Sequence, residues 1–161
     1  PPAAGPPNNG TADAGSVGWE HGNAAEEDLM VELVNGFRAS DQNCGGRSMP
    51  AVPPIRMQEN LREAARLHSL DMGEEGYFDH NGLAGRDPWQ RIRDASYPGR
   101  GMAENIAAGN QSAQATFQQW VDSPGHCRNM MTPNATEIGV GHAAVPGSRY
   151  RHYWTQKFGT R

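Results

Sequence analysis

The chain has no long apolar run, a single lysine and only two cysteines among its 161 residues. No stretch reaches the ~18–20 consecutive apolar residues that span a bilayer, so no transmembrane segment is expected. The arginines are scattered without a basic cluster, the formal charge is −4 and the pI is about 5.8. Nucleic acid and anionic membrane surfaces need a clustered positive patch, so neither is an expected partner. Lys157, the lone lysine, is read as composition, without functional weight. The absence of C-x-x-C removes the common thiolate zinc motifs. H-E-x-x-H and G-x-S-x-G are missing too, which removes the helical metalloprotease pair and the nucleophile elbow. No internal repeat and no signal-peptide pattern appear, so export has to be argued from the cysteines.

Residues 1–24 are rich in Pro, Gly, Ala and Asn and nearly free of large apolar groups. They cannot bury enough surface to offset ordering entropy and read as a disordered leader or linker, with His21 set aside inside it. Residues 25–161 are expected to form one domain, since roughly 135 residues suffice for a core. Leu29, Met30, Leu33, Val34 and Phe37 share one helical face over 25–39, behind an acidic first turn. A loop through Cys44-Gly-Gly leads to a second helix over 58–74, with Leu61, Ala64, Ala65, His68 and Met72 inward. Asp87-Pro88 and Ser123-Pro124 each carry a cap-plus-proline signal for a short helix. Ser112 caps a helix to about Asp122, and 96–110 reads as a loop rich in Gly, Asn and Ala. The last third switches period: 137–145 and 149–158 read as strands joined at Pro146-Gly147-Ser148, with Tyr150, His152, Trp154, Gln156 and Phe158 on one face. Helices first and a hairpin last give an α+β domain with an antiparallel sheet. Trp89, Trp120 and Trp154 are expected as core or cleft-wall anchors.

His80 and His126 stand beside glycine in loops or at helix starts, where side chains reach a cleft rather than a core. Two imidazoles and a carboxylate such as Glu104 suit an open zinc position, although the spacing matches no local metal motif. Glu104 has two readings, a catalytic base or a carboxylate that fixes its own turn. Ser123 invites a nucleophile reading with His126 three residues on, but Ser-Pro at a helix start is more simply a cap. His68 lies on an apolar stripe and reads as a hydrogen-bonded structural histidine; His142 and His152 read as strand residues that pack or pair. Cys44 and Cys127 are either separate buried thiols or a bridge. Their turn-rich surroundings favour the bridge, which implies an oxidising compartment and removes ~4–5 kcal/mol of unfolded-chain entropy.

Ala103-Glu-Asn-Ile-Ala107, Trp120 with Ser-Pro-Gly-His126 and Asn129, Ile138-Gly-Val-Gly141 and Tyr153-Trp-Thr-Gln-Lys-Phe158 together resemble a bacterial CAP (SCP-like) extracellular domain. This family is named for cysteine-rich secretory, antigen 5 and pathogenesis-related-1 proteins, and the resemblance covers about residues 27–159. It implies an α-β-α sandwich with a three-stranded antiparallel sheet between helices, and secretion or display at the cell envelope. It also implies a cleft of two histidines and two acids that holds a divalent ion, commonly zinc. The histidines fall on His80 and His126 and the first acid on Glu104. The second acid has no Glu here, and Asp122 and Ser123 occupy its region as cleft-supporting residues. Relatives with Cys-Gly-Gly and Gly-His-Cys at matching points imply the Cys44–Cys127 bridge. The resulting expectation is a secreted, monomeric, non-catalytic or weakly catalytic domain that binds a divalent metal through His80 and His126, with Glu104 orienting a bound water or an imidazole, and takes a small or peptidic ligand. Its rivals are a metal-dependent hydrolase or peptidase using Glu104 and His126, and a lipid or sterol carrier.

Overall fold

The computed structural model describes residues 19–161, so the expected disordered leader lies outside the described residues as far as residue 18. Next to it, Trp19 Nε1 donates to the His142 carbonyl and Ala144 N donates to the His21 carbonyl. Residues 19–23 are thereby laid along a strand of the domain.

Helix α1 (Ala24–Arg38) starts where Asn23 Oδ1 accepts the Glu26 amide at 3.2 Å. Its buried apolar residues are Met30, Val31 and Val34, whereas Leu29 is 38% exposed, a correction to the expected stripe. Two charged residues, Glu27 and Arg38, are fully buried on it instead. Glu27 takes a two-pronged hydrogen bond from Arg66 at 2.6 and 2.8 Å. Arg38 donates to the carbonyls of Pro53, Met130 and Thr132 at 2.9–3.0 Å. Charges at buried positions read as a solvent face in a hydropathy pattern, and only their partners make the burial affordable.

Strands β1 (Gln42–Cys44) and β2 (Arg47–Met49) form a hairpin where the sequence suggests a loop. Its Gly45-Gly46 turn has φ of 62° and 89°, the left-handed values a two-residue hairpin demands. Short β3 (Arg56–Met57) then leads into α2 (Glu59–Glu75), which ends at Gly76 with φ 74°. Helix α3 (Pro88–Asp94) is capped by Asp87, as the cap-plus-proline signal predicts. Strand β4 (Arg100–Ala108) replaces the loop expected over 96–110. Its one glycine and three alanines have little strand propensity, so the local pattern reads as loop. The ladder to the last strand and the burial around it decide otherwise. Helices α4 (Ala113–Val121) and α5 (Pro124–Met130) precede β5 (Glu137–Ala144) and β6 (His152–Thr160). The β5–β6 connection runs through Arg151 at φ 66°, which places Tyr150 in the turn, 39% exposed, rather than on the β6 face.

The main sheet has the order β3-β5-β6-β4. Its last three strands are antiparallel, as the family resemblance implies, and β3 adds a two-residue parallel edge to β5. Helices cover both faces. Ile138, Val140, Trp154 and Phe158 point into a core shared with Met30 and Trp120. The alternate residues Gly139 and Gly141 face α2. A Cβ at either glycine would lie 2.2 Å from α2 backbone, at Leu61 and Arg66 respectively. The Ile138-Gly-Val-Gly141 pattern is thus the footprint of a helix lying directly on a strand. Trp120 and Trp154 are fully buried anchors; Trp89, expected as a third, is 40% exposed. Among the described residues no helix is long and apolar enough to cross a membrane.

Candidate functional site

Strand β4 is the terminal strand of its sheet, and its consecutive residues Glu104 and Asn105 project to opposite faces. Each organises one half of the site. Glu104 stands opposite Lys157 of β6 in the ladder, and the Lys157 ammonium donates to Glu104 Oε2. Both side chains are 3% exposed. Arg91 of α3 donates to the same oxygen at 3.3 Å. The other oxygen, Oε1, accepts His80 Nδ1 at 2.8 Å. Burial alone would raise the Glu104 carboxyl; the His80 hydrogen bond, the Lys157 charge and nearby His68 reverse this and hold it down at about 2. An ionised carboxylate only accepts, so His80 Nδ1 carries the proton, and in the neutral ring Nε2 keeps its lone pair.

Three contacts hold the His80 turn in place. His68, 1% exposed, meets the Asp79 carbonyl through Nε2 at 2.8 Å, and Arg91 donates to the His80 carbonyl. Tyr77 Oη donates to Asp71. Burial, chiefly, depresses the His68 imidazole to about 4. His68 is thus the structural histidine that its apolar stripe predicts. The His80 side chain itself remains 48% exposed.

On the other face, Asn105 Nδ2 donates to Gln156 Oε1 at 2.8 Å and to the His126 carbonyl at 3.2 Å. Asn129 Nδ2 closes the network on Asn105 Oδ1 at 2.9 Å. These amides bind the α5 turn to the sheet edge. The Cys44–Cys127 disulfide, spanning 83 residues, fastens the same turn to the β1–β2 hairpin. Both cysteines are 1% exposed. At Gly45, an added Cβ would lie 2.6 Å from the Pro124 ring, so the hairpin packs tightly against the start of α5. His126 is half-buried and its Nδ1 is a buried atom without a hydrogen-bond partner. Burial first, then the nearby His80 charge, lowers its imidazole below the ordinary range.

His80 thus meets Glu104 directly, whereas His126 is tied to the same strand through its backbone carbonyl on Asn105. Asp122 and Ser123 are engaged elsewhere: Asp122 caps α4, is exposed and accepts from Gln118, and Ser123 occupies the α5 N-cap position without a side-chain cap bond. The expected cap is positional only. Among the described residues no three His, Cys, Asp or Glu side chains form a group that could cage a metal. Among the ring nitrogens not engaged in the hydrogen bonds described are His80 Nε2 and His126 Nδ1. His142 and His152 pair with each other instead, Nε2 to Nδ1 at 3.0 Å with stacked rings. Lys157, Arg91, Asn105, Asn129 and Gln156 carried no weight as site residues in the sequence. For Lys157 a signal existed: a charge placed between the apolar residues of a strand covered on both faces must have a buried partner.

The family model described as CAP, the cysteine-rich secretory protein family, matches residues 31–158. The uncharacterized protein YkwD of Bacillus subtilis is 32% identical over 84% of this chain and 47% of its own length. An extracellular protein of Bacillus anthracis containing an SCP domain superposes with a TM-score of 0.70 at 24% identity, over 85% of this chain and 41% of that one. An outer surface protein of Borrelia burgdorferi gives 0.70 at 17% identity, over 86% and 94%. The chain thus spans less than half the length of the two Bacillus proteins.

Proposed function

The chain belongs to the cysteine-rich secretory protein (CAP) family, and on that premise we propose that its domain works outside the cytoplasm as a divalent-metal-binding module. His80 and His126 are the imidazole ligands and Glu104 is the residue that orients His80. The observation that carries this reading is the His80 Nδ1–Glu104 hydrogen bond at 2.8 Å. A carboxylate behind the far nitrogen of a metal-ligating histidine sets its tautomer, fixes its ring plane and raises its basicity. Lys157 and Arg91 hold that carboxylate in turn. The unpartnered His126 Nδ1 supports the second ligand, since such an atom costs ~1–3 kcal/mol unless a ligand or ion satisfies the ring. Zinc is among the ions that imidazole nitrogens suit, and when bound it would supply Lewis acidity at its open positions. The buried disulfide and the extracellular SCP-domain protein of similar fold support action in an oxidising compartment. The ligand class is small or peptidic.

The hydrolase reading is weaker because of Glu104. A general base works best with a pKa near the operating pH, and this carboxyl is held at about 2 with both oxygens engaged. Its role is positional. A sterol or lipid carrier finds no specific support in the geometry. Zinc titration by calorimetry tests the proposal. Wild type is expected to bind in a saturable manner, His80→Ala and His126→Ala at least about tenfold more weakly, and Glu104→Gln about 10–100-fold more weakly. Unchanged binding in both histidine variants would reject the ligands. Zinc-dependent cleavage of a peptide library, abolished in His126→Ala, would replace this reading with the hydrolase.

A further inference from the structure

Helix α2 has a second face, turned away from the sheet. Between it and loop 82–86 runs a groove of about 660 Å³. Leu67, Leu70 and Leu83 line it, and two of them are unusually bare for leucine: Leu67 is 52% exposed and Leu83 69%. Five carboxylates surround these apolar groups: Glu63, Asp71, Glu74 and Glu75 on α2, and Asp94 at the end of α3. Among the described residues only two cations line the same groove, and both are engaged. Arg86 pairs with Asp94 at 2.5 Å, and Arg91 turns inward to Glu104, the Arg86 carbonyl and the His80 carbonyl. The groove is therefore apolar along its walls and negative at its rim.

We infer that this groove binds a segment of another polypeptide that alternates apolar with lysine or arginine side chains. The charge decides the partner class. Carboxylates around an apolar trough repel anionic headgroups and acidic peptides, and raise the local concentration of cationic ones. The apolar walls require more than charge, because only side chains that cover Leu67 and Leu83 remove that surface from water. Length sets the size of the segment. From Glu63 to Glu75 the helix runs about 18 Å, which an extended segment matches with about five or six residues. The site is separate from the metal reading and shares none of its ligands. It backs onto the same loop, however, since Arg91 lines the groove and also fastens the His80 carbonyl.

The test is fluorescence anisotropy with a rhodamine-labelled hexapeptide, Lys-Leu-Lys-Leu-Lys-Leu, and the whole chain in chelator, so that metal plays no part. Saturable binding is expected, weakening as salt rises from about 0.05 to about 0.5 M. Glu-Leu and Lys-Ser hexapeptides of the same pattern are each expected to bind at least about tenfold more weakly. Leu67→Ser, Leu83→Ser and Glu74→Lys alter exposed side chains and leave the fold intact by circular dichroism. Each is expected to weaken the Lys-Leu peptide at least about fivefold. The inference is overturned by no saturation up to about 1 mM peptide, by equal binding of either control peptide, or by folded variants that bind like wild type.

Discussion

Replacing Lys157 by methionine removes one charge from a buried cross-strand pair and nearly preserves volume. Its partner Glu104 is 3% exposed and cannot recover the lost interaction from water. A carboxyl moved from 4.5 to about 2 by its surroundings corresponds to about 3 kcal/mol of folding free energy shared among its partners. Breaking a buried pair by removing one member costs about 3–5 kcal/mol, and the remaining His80 and Arg91 contacts place Lys157→Met at the low end. About 3 kcal/mol lowers the melting temperature of a chain this size by about 6–12 °C. Scanning calorimetry at pH 7 reads the shift. The double variant with Glu104→Gln leaves neither charge stranded and is expected to exceed the additive stability by about 2 kcal/mol. The pH sign follows from a depressed carboxyl: its contribution is present above about 4.5 and is lost as pH falls toward 2, so Glu104→Gln flattens that acid limb. A Lys157→Met protein within about 0.5 kcal/mol of wild type, or an additive double variant, would refute the reasoning.

Other perturbations give separate readings. His68 is a base whose folded value is depressed to about 4, so its contribution is present above 6.5 and is lost as pH falls toward 4; His68→Gln should flatten the denaturant-measured stability across that window. Removing the disulfide as Cys44→Ala/Cys127→Ala should cost about 2–5 kcal/mol and, because the bridge fastens the His126 turn, should weaken zinc binding by calorimetry. Equal zinc affinity with and without the bridge would uncouple the two. Gly141→Ala puts a Cβ 2.2 Å from the α2 backbone and should cost about 3 kcal/mol or more in urea unfolding; a neutral effect would mean that α2 does not press on β5.

How far the sequence carries is clearest at particular residues. Asp87-Pro88 and the inward stripe of α2 were legible because caps and helical spacing are local signals. The candidate histidines His80 and His126 stood out through the turns around them. Strand β4 was not legible, since alanine and glycine gain their strand conformation from a ladder 50 residues away in sequence. Arg38, Glu27 and Lys157 were hidden for a related reason. A buried charge is recognisable only through its partner, and each partner lies far along the chain. The role of Glu104 turned on the same point. Its motif left a base, a turn anchor and an orienting carboxylate open, and only the distant partners His80, Arg91 and Lys157 show what the carboxylate touches.

The most direct measurement is the nitrogen-15 NMR spectrum of the histidine rings before and during zinc addition. The account predicts that His80 starts as the Nδ1-protonated tautomer, and that its bare Nε2 and one His126 nitrogen shift together in saturable proportion to added zinc. A His80 ring protonated at Nε2, or histidine signals indifferent to zinc, would contradict it.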